Sequence, residues 1–492
     1  MTRTREDVWT LTEAEGDWPA VLVAYERAVG LLRALDPPTG PPSNPLGWRF
    51  LAAIHGLAAP NGDPDTSNAL WSNCQHGSWY FLPWHRMYLM AFELIVQDAL
   101  GDEDWSLPYW YAIDPDDAGK AVLPPAFRDQ SRQLYTDQRS IPANGGSPLP
   151  DLSQALLEAL GADRFSTPSG LSTFGGGERA APSWSGGEVG LLEGVPHGAV
   201  HTLVGNDFDR NNRVVRRGWM GSFFTAALDP IFWLHHSNID RLWQVWLDLD
   251  PANANPTGDP AWADTEFSFP AVGGDLETWS IGEVLDLASI GYEYASTAAP
   301  SAITPPVGPS LGAGPNIGLG EEAMPEPIPP QVIGTTTDVP LATADAVDVE
   351  LSTPAALDFA VAADAEPVGD GRVFLRVEGV TGTAGAAVYE IYLNVPPGEA
   401  PTDHPELRAG FFSTFGLTEA SQTNALEDGS GLTTVLDITA VRDVLEEQGR
   451  WDPARLQVSF SPVTPAETAE DVEAAEGQPS DLVAGQIAVV VT

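Results

Sequence analysis

The stretch "DPIFWLHHSNIDRLW", residues 229–243, places two adjacent histidines inside an aromatic, apolar run. One histidine in such a run reads as a core residue of a buried helix. A pair reads as metal chemistry only if other histidines stand at ligand spacing elsewhere. The chain has eight histidines in 492 residues, and seven of them precede residue 237. They fall in two groups: His55, His76 and His85, then His197, His201 and the pair His235–His236. His197 and His201, in "PHGAVHTLVG", are four apart, which on a helix puts both imidazoles on one face. His55 in "WRFLAAIHGLA" and His85 in "FLPWHRMYLMAFE" lie on strongly apolar helical patterns. His404, in "TDHPEL", reads as a surface turn residue.

The donor type points to the metal. Zinc sites usually mix in thiolate or carboxylate ligands, whereas imidazole also suits copper, iron and nickel. Two sites of three neutral nitrogens, set among Trp and Phe, favour a low-charge ion such as Cu(I) with room for a small molecule between them. The chemistry to expect there is dioxygen binding.

Two long segments carry a family resemblance. "HGSWYFLPWHRMYLMAFE" (76–93) and "DPIFWLHHSNIDRLW" (229–243) resemble the two signature motifs of tyrosinases, catechol oxidases and hemocyanins, the coupled binuclear copper proteins. The first aligns through His76, Phe81, Trp84-His85-Arg86 and Glu93; the second through Asp229-Pro230, Phe232, His236 and Asp240. The resemblance implies a first copper on His55, His76 and His85, and a second on His197, His201 and His236. It makes His235 a neighbour of the site, and Asp240 and Arg241 braces of the helix. "GWMGSFFTAALDPIFWLHHSN" looks most like plant polyphenol oxidases, where the residue matching Phe223 lies over the second copper as a gate. Glu193 matches a glutamate that holds a water near that copper. Gly198 stands where strongly monophenol-active members have Asn, which implies a preference for diphenols. Cys74, the only cysteine, lies two residues before His76. That spacing resembles members in which the thiol is joined to the imidazole as a thioether. Tyr292-x-Tyr294 matches the motif that closes the family's catalytic domain, with Arg5 as a partner for it.

Composition sets the frame. The length implies two domains. Residues 1–295 are rich in Trp and in helix-period patterns, with Gly/Pro/Ser loops at 138–150 and 166–190. Residues 296–335 are Pro/Gly-rich and read as a linker. From 336 to 492 short alternating runs such as "GRVFLRVEGV" and "AAVYEIYLNV" read as a β-sandwich. These patterns imply a mainly α catalytic domain followed by a β-sandwich C-terminal domain, and the resemblance implies that the first has a four-helix bundle core holding two coppers. In the resembled family such a domain often covers the site, and Phe411 and Phe412, with Tyr392 behind them, are the candidate plugs. The net charge is −46, and Lys120 is the one lysine. A carboxylate-rich, lysine-poor surface suits high salt. It excludes nucleic acid as a partner, because no basic patch exists. No apolar run reaches membrane-span length and no apolar leader opens the chain. The expectation is a cytoplasmic protein of a salt-adapted cell. A single cysteine excludes an internal disulfide.

The function these features imply is oxidation of o-diphenols to o-quinones by dioxygen at two coppers, with ortho-hydroxylation of monophenols as a further capacity. The alternatives are an o-aminophenol oxidase with the same site, and a hemocyanin-like oxygen carrier. The absence of tandem copper units in the chain argues against the carrier.

Overall fold

Two long helices carry the centre of the molecule, and local signals set their ends. In the computed structural model the helices that matter for the site are α1 (Ala20–Ala34), α2 (Trp48–His55), α3 (Phe81–Leu100), α4 (Gly198–Gly205) and α5 (Pro230–Leu249). α5 begins where Asp229 accepts from the Ile231 N–H and Pro230 takes the first helical position. Asp229 also binds the buried Arg139 guanidinium at 2.6 Å, so the cap is locked from outside the helix. α3 ends at Gly101, whose φ of 66° is open to glycine without a Cβ penalty. α3 and α5 are buried nearly all round, as expected of helices apolar on every face. They pack on each other, α1 packs against α3, and α2 touches α3 through Trp48 on Phe92. Phe92 stacks on Trp233 with ring centroids 3.5 Å apart, and the Tyr88 hydroxyl donates to the Leu51 carbonyl at 2.5 Å.

The structure describes residues 2–167, 170–209, 211–303, 331–341, 347–351, 371–383, 387–463 and 481–492. Most of the expected linker, 304–330, lies outside the described residues. Among these residues no helix is long and apolar enough to cross a membrane.

The N-terminus is stitched to the end of the helical half. Strands β1 (Arg3–Arg5) and β3 (Tyr292–Tyr294) pair in parallel, Arg5 opposite Tyr294. Arg5 donates to the Tyr294 hydroxyl at 3.0 Å and its guanidinium lies 3.6 Å from the Tyr292 ring centroid. Asp240 on α5 collects Arg86 at 2.6 Å, Arg5 at 3.5 Å and the hydroxyls of Tyr292 and Tyr294 at 2.6 and 2.5 Å. Burial pushes its pKa up, but Arg86 and Arg5 outweigh this and hold it below the usual carboxylate range. Arg241 bonds Asn238 and the Ser296 carbonyl instead.

The C-terminal half is made of two sheets. One has the order β2 (Gly187–Glu188), β9 (Leu432–Asp437), β6 (Val373–Thr381), β11 (Val483–Val491), β4 (Gln331–Pro340). The other has the order β8 (Arg408–Ser413), β7 (Val388–Leu393), β10 (Gln457–Pro462), β5 (Val347–Glu350). Val377, Ile391, Phe460 and Ile487 belong to a core that both sheets share. β4 starts at Gln331, inside the stretch read as linker. β2 comes from the helical half and pairs in parallel with β9, Gly187 opposite Leu432, so the two halves share a sheet. The one lysine is structural: Lys120 lies 2.9 Å from Asp7 and 2.8 Å from Asp114.

Candidate metal centre

Six elements bring seven histidines together. His55 closes α2, His76 lies in the loop before α3, and His85 is on the first turns of α3. His197 ends a wide helical turn, Glu193–His197, and His201 follows one turn later on α4. His235 and His236 are on α5. The candidate ligand atoms of His55, Cys74, His76 and His85 lie within 4.8 Å of one another, as do those of His197, His201, His235 and His236. All are buried. The clusters adjoin: the His85 and His236 rings stack 4.3 Å apart, and Phe81 stands 4.6 Å from His85 and 4.7 Å from His197.

One hydrogen-bond pattern orients the rings. Nδ1 of His55 donates to the Phe223 carbonyl at 2.8 Å, that of His76 to Trp184 at 3.2 Å, and that of His85 to Phe81 at 2.8 Å. Nδ1 of His197 donates to the Glu193 carbonyl and that of His201 to Met220, both at 3.0 Å. A proton held on Nδ1 leaves Nε2 with a free lone pair, the arrangement that metal-ligating histidines show. His236 differs: its Nδ1 has no hydrogen-bond partner and its Nε2 faces His201 Nε2 at 3.1 Å. Nε2 of His55, His197 and His235 are also buried without hydrogen-bond partners. Buried polar atoms are rarely left so. A cation at each cluster would take the Nε2 lone pairs of His55 and His197, and a pure imidazole set suits copper.

Electrostatics agree. Burial in the apolar shell holds His55 down to about 4 and His235 down to about 3. Burial, with the neighbouring imidazoles, keeps His76, His85, His197, His201 and His236 well below the usual value. At neutral pH the rings are free bases, as ligands must be. Glu193 is pushed up to about 8 by burial, although the Gly77 N–H donates to it at 2.8 Å. Its Oε2 has no hydrogen-bond partner, and the carboxyl lines a cavity of about 40 Å³ beside His76, His197, Phe223 and Phe415.

Two aromatic rings cap the site, one per cluster. Phe223 lies flat on His76, centroids 3.9 Å apart, so it covers the first cluster and not the second, where the resemblance placed it. The second is covered by Phe415, stacked on His201 at 4.1 Å and 4.8 Å from Phe223. Phe415 makes the ring contacts with the imidazoles, while two of the candidates read from sequence, Phe411 and Phe412, line the same cavity. Phe412 sits in the core of the two sheets and Phe411 in the core shared with the helices; the Tyr392 hydroxyl bonds Glu390. Gly198 leaves room for this turn: a Cβ there would lie 2.8 Å from Ser413 Oγ and 3.2 Å from Phe415 Cβ. Cys74 Sγ is 3.7 Å from His76 Nε2 and 3.3 Å from His85 Nε2. His404 lies apart, paired with Glu399 and Glu406.

Helices that present two adjoining clusters of neutral, Nδ1-anchored imidazoles define a binuclear copper protein. The comparisons with known proteins agree. The common central domain of tyrosinase matches residues 45–151 and 153–249, and a domain of unknown function matches 330–475. Tyrosinase HcTyr1 of Hahella sp. (strain CCB-MM4) is 30% identical, over 97% of this chain and 98% of its own length. Polyphenol oxidase A1 of Vicia faba is 30% identical over 57% of this chain and 46% of its own. The structure of latent apple tyrosinase superposes with a TM-score of 0.59 at 21% identity, covering 99% of this chain and 97% of that one. Latent aurone synthase gives a TM-score of 0.60 at 21% identity, covering 100% and 89%. This chain belongs to the tyrosinase family. It is an oxidoreductase of the tyrosinase and polyphenol oxidase class, with two histidine sites that fit its two coppers.

Proposed function

We propose that the protein oxidises o-diphenols to o-quinones with dioxygen, two diphenols giving four electrons and four protons to one dioxygen to leave two quinones and two waters. The observation that carries this reading is the pair of neutral imidazole clusters opening on one apolar cavity that the buried Glu193 carboxyl also lines. His55, His76 and His85 would hold one copper, and His197, His201 and His236 the other. When bound, the metal pair supplies dioxygen activation and the two-electron oxidation. The protein's own groups do the rest. The Phe223 ring offers a face for the phenol to stack on. Glu193, raised toward neutrality, can accept a phenolic proton directly or through one water. The aromatic shell excludes bulk water.

We read the chain as a catalytic domain over 1–295, whose long helices form a bundle, a linker from 296 that ends before Gln331, and a C-terminal β-sandwich from there to 492 that shields the site. The apple tyrosinase and the aurone synthase that superpose on this chain are latent enzymes, and Phe415 over His201 supports the same reading here. A cavity of about 40 Å³ takes a few waters but no phenol ring, so Phe415 must leave before substrate binds. Gly198, without an amide side chain beside His197, supports diphenols over monophenols. Initial rates of copper-loaded enzyme on catechol, tyrosine and o-aminophenol test the proposal, with catechol expected to be fastest. Lag-free, efficient turnover of tyrosine would remove the diphenol preference. A faster o-aminophenol would favour that substrate class, and reversible oxygenation without turnover would make the protein a carrier.

A further inference from the structure

The loop that aims His76 is held from its far side by the C-terminal half of the chain. Trp184 accepts from His76 Nδ1 through its carbonyl, and its indole donates to the His55 carbonyl at 3.2 Å. One residue thus fixes one ring of the first cluster and the helix end that carries another. The next residue, Ser185, gives its backbone N–H to Glu427 Oε1 at 2.6 Å. Glu427 is buried, on a turn where the Asn424 side chain accepts from its backbone N–H at 3.1 Å. Two residues further on, β2 joins β9, and the Val189 N–H donates to the Thr433 carbonyl at 2.9 Å.

The strip 184–189 is therefore clamped between His76 and the C-terminal sheet, and little slack remains. A Cβ on Gly77, whose φ is +62°, would lie 2.1 Å from the Gly186 carbonyl oxygen. A Cβ on Gly186 would lie 3.1 Å from Glu427 Oε2. A shift of Ser185 would therefore be passed to the neighbouring Trp184 carbonyl and so to His76.

We infer that Glu427 is a positioning residue for the first copper centre: by holding Ser185 it fixes the carbonyl that aims His76, so the C-terminal half stabilises the metal site as well as covering it. This rests on His76 being a copper ligand. A cover that only blocked access would have no influence on how tightly copper is held. Burial pushes the Glu427 carboxyl up to about 7, with Arg179 opposing and Asp428 adding to the rise. The loop needs an acceptor oxygen there and not a charge, so glutamine should serve as well.

The test follows copper release from the loaded full-length chain into excess EDTA, for wild type and five variants. In Glu427→Leu, one copper should leave roughly tenfold faster, the low end of the cost of losing support behind a ligand, while the other leaves at the wild-type rate. Glu427→Asp, which shortens the arm, should fall between, and it decides the matter if the leucine variant does not fold. Glu427→Gln should match wild type. Asp163→Asn, which breaks the contact with Arg372 elsewhere between the halves, should also match it. The inference is overturned if the Leu and Asp variants release copper at the wild-type rate, if Gln fails to restore retention, or if Asp163→Asn releases copper as fast as they do. His76→Ala separates the two questions. It should bind one copper; two would refute the ligand assignment itself, whatever Glu427 does.

Discussion

His197, His201 and His236 come from two helical segments, and the first two are one turn apart. His55, His76 and His85 come from a helix end, a loop and a second helix, and two of their Nδ1 anchors, Trp184 and Phe223, stand more than a hundred residues away in sequence. The second cluster is built largely by local geometry, but its covering ring, Phe415, belongs to the C-terminal half. The first is built by long-range contacts, but its covering ring, Phe223, belongs to the helical half. A binuclear site can thus have chemically equal donors on unequal supports, and perturbations should separate its halves.

The largest expected effect tests whether the second cluster stands alone. His236→Ala should leave one copper per chain and abolish oxidation, while His235→Ala should keep two and weaken only activity. Metal analysis decides, and two coppers in His236→Ala would break the assignment. A smaller effect is expected at the cover. Phe415→Ala should raise diphenol oxidation by the full-length chain several-fold, while Val458→Ala, a change in the core of the two sheets, should not. Equal rates for wild type and Phe415→Ala would leave the second cluster without a functional cover. The smallest change is chemical and confined to the first cluster, whose candidate ligand atoms include the Cys74 sulfur. Copper-loaded protein should yield a peptide in which Cys74 and His76 are cross-linked with loss of two hydrogens. Complete alkylation of Cys74 in denatured, copper-loaded protein would refute the cross-link.

The two clusters were also unequal in how far they could be read. His197 and His201 show themselves by helical spacing, and His85 and His236 by long motifs on apolar helices, because a helix converts sequence interval into direction. The carbonyls that orient the rings carry no such signal, since any residue has one and only the folded path decides which is near. The tie of Arg5 to Tyr292 and Tyr294 was legible through the resemblance alone. The two-sheet half was visible in its alternating runs, but β2 was not: Gly187–Glu188 is two residues long and its partner strand lies far along the chain. Phe415 was missed for a physical reason. Phe411 and Phe412 are bulky and adjacent, but strand alternation sends them into two cores. Phe415 follows the strand and precedes Gly416, whose φ of 77° makes the turn and where a Cβ would lie 2.2 Å from the Phe223 ring. An aromatic residue just past a strand and just before a glycine was the available signal.

The single lysine gains meaning beside this chemistry. o-Quinones are electrophiles that add to thiols, amines and imidazoles, and an oxidase that makes them is the first protein they meet. Here the only thiol, Cys74, is sealed in the core. The only lysine amine is gripped by Asp7 and Asp114. Seven imidazoles are buried at the metal clusters, and the eighth sits between two glutamates that favour its protonated, unreactive form. Among the described residues many of the exposed side chains are carboxylates, which such products attack poorly. A carboxylate-rich, lysine-poor surface is therefore also one that the proposed o-quinone product would find hard to modify.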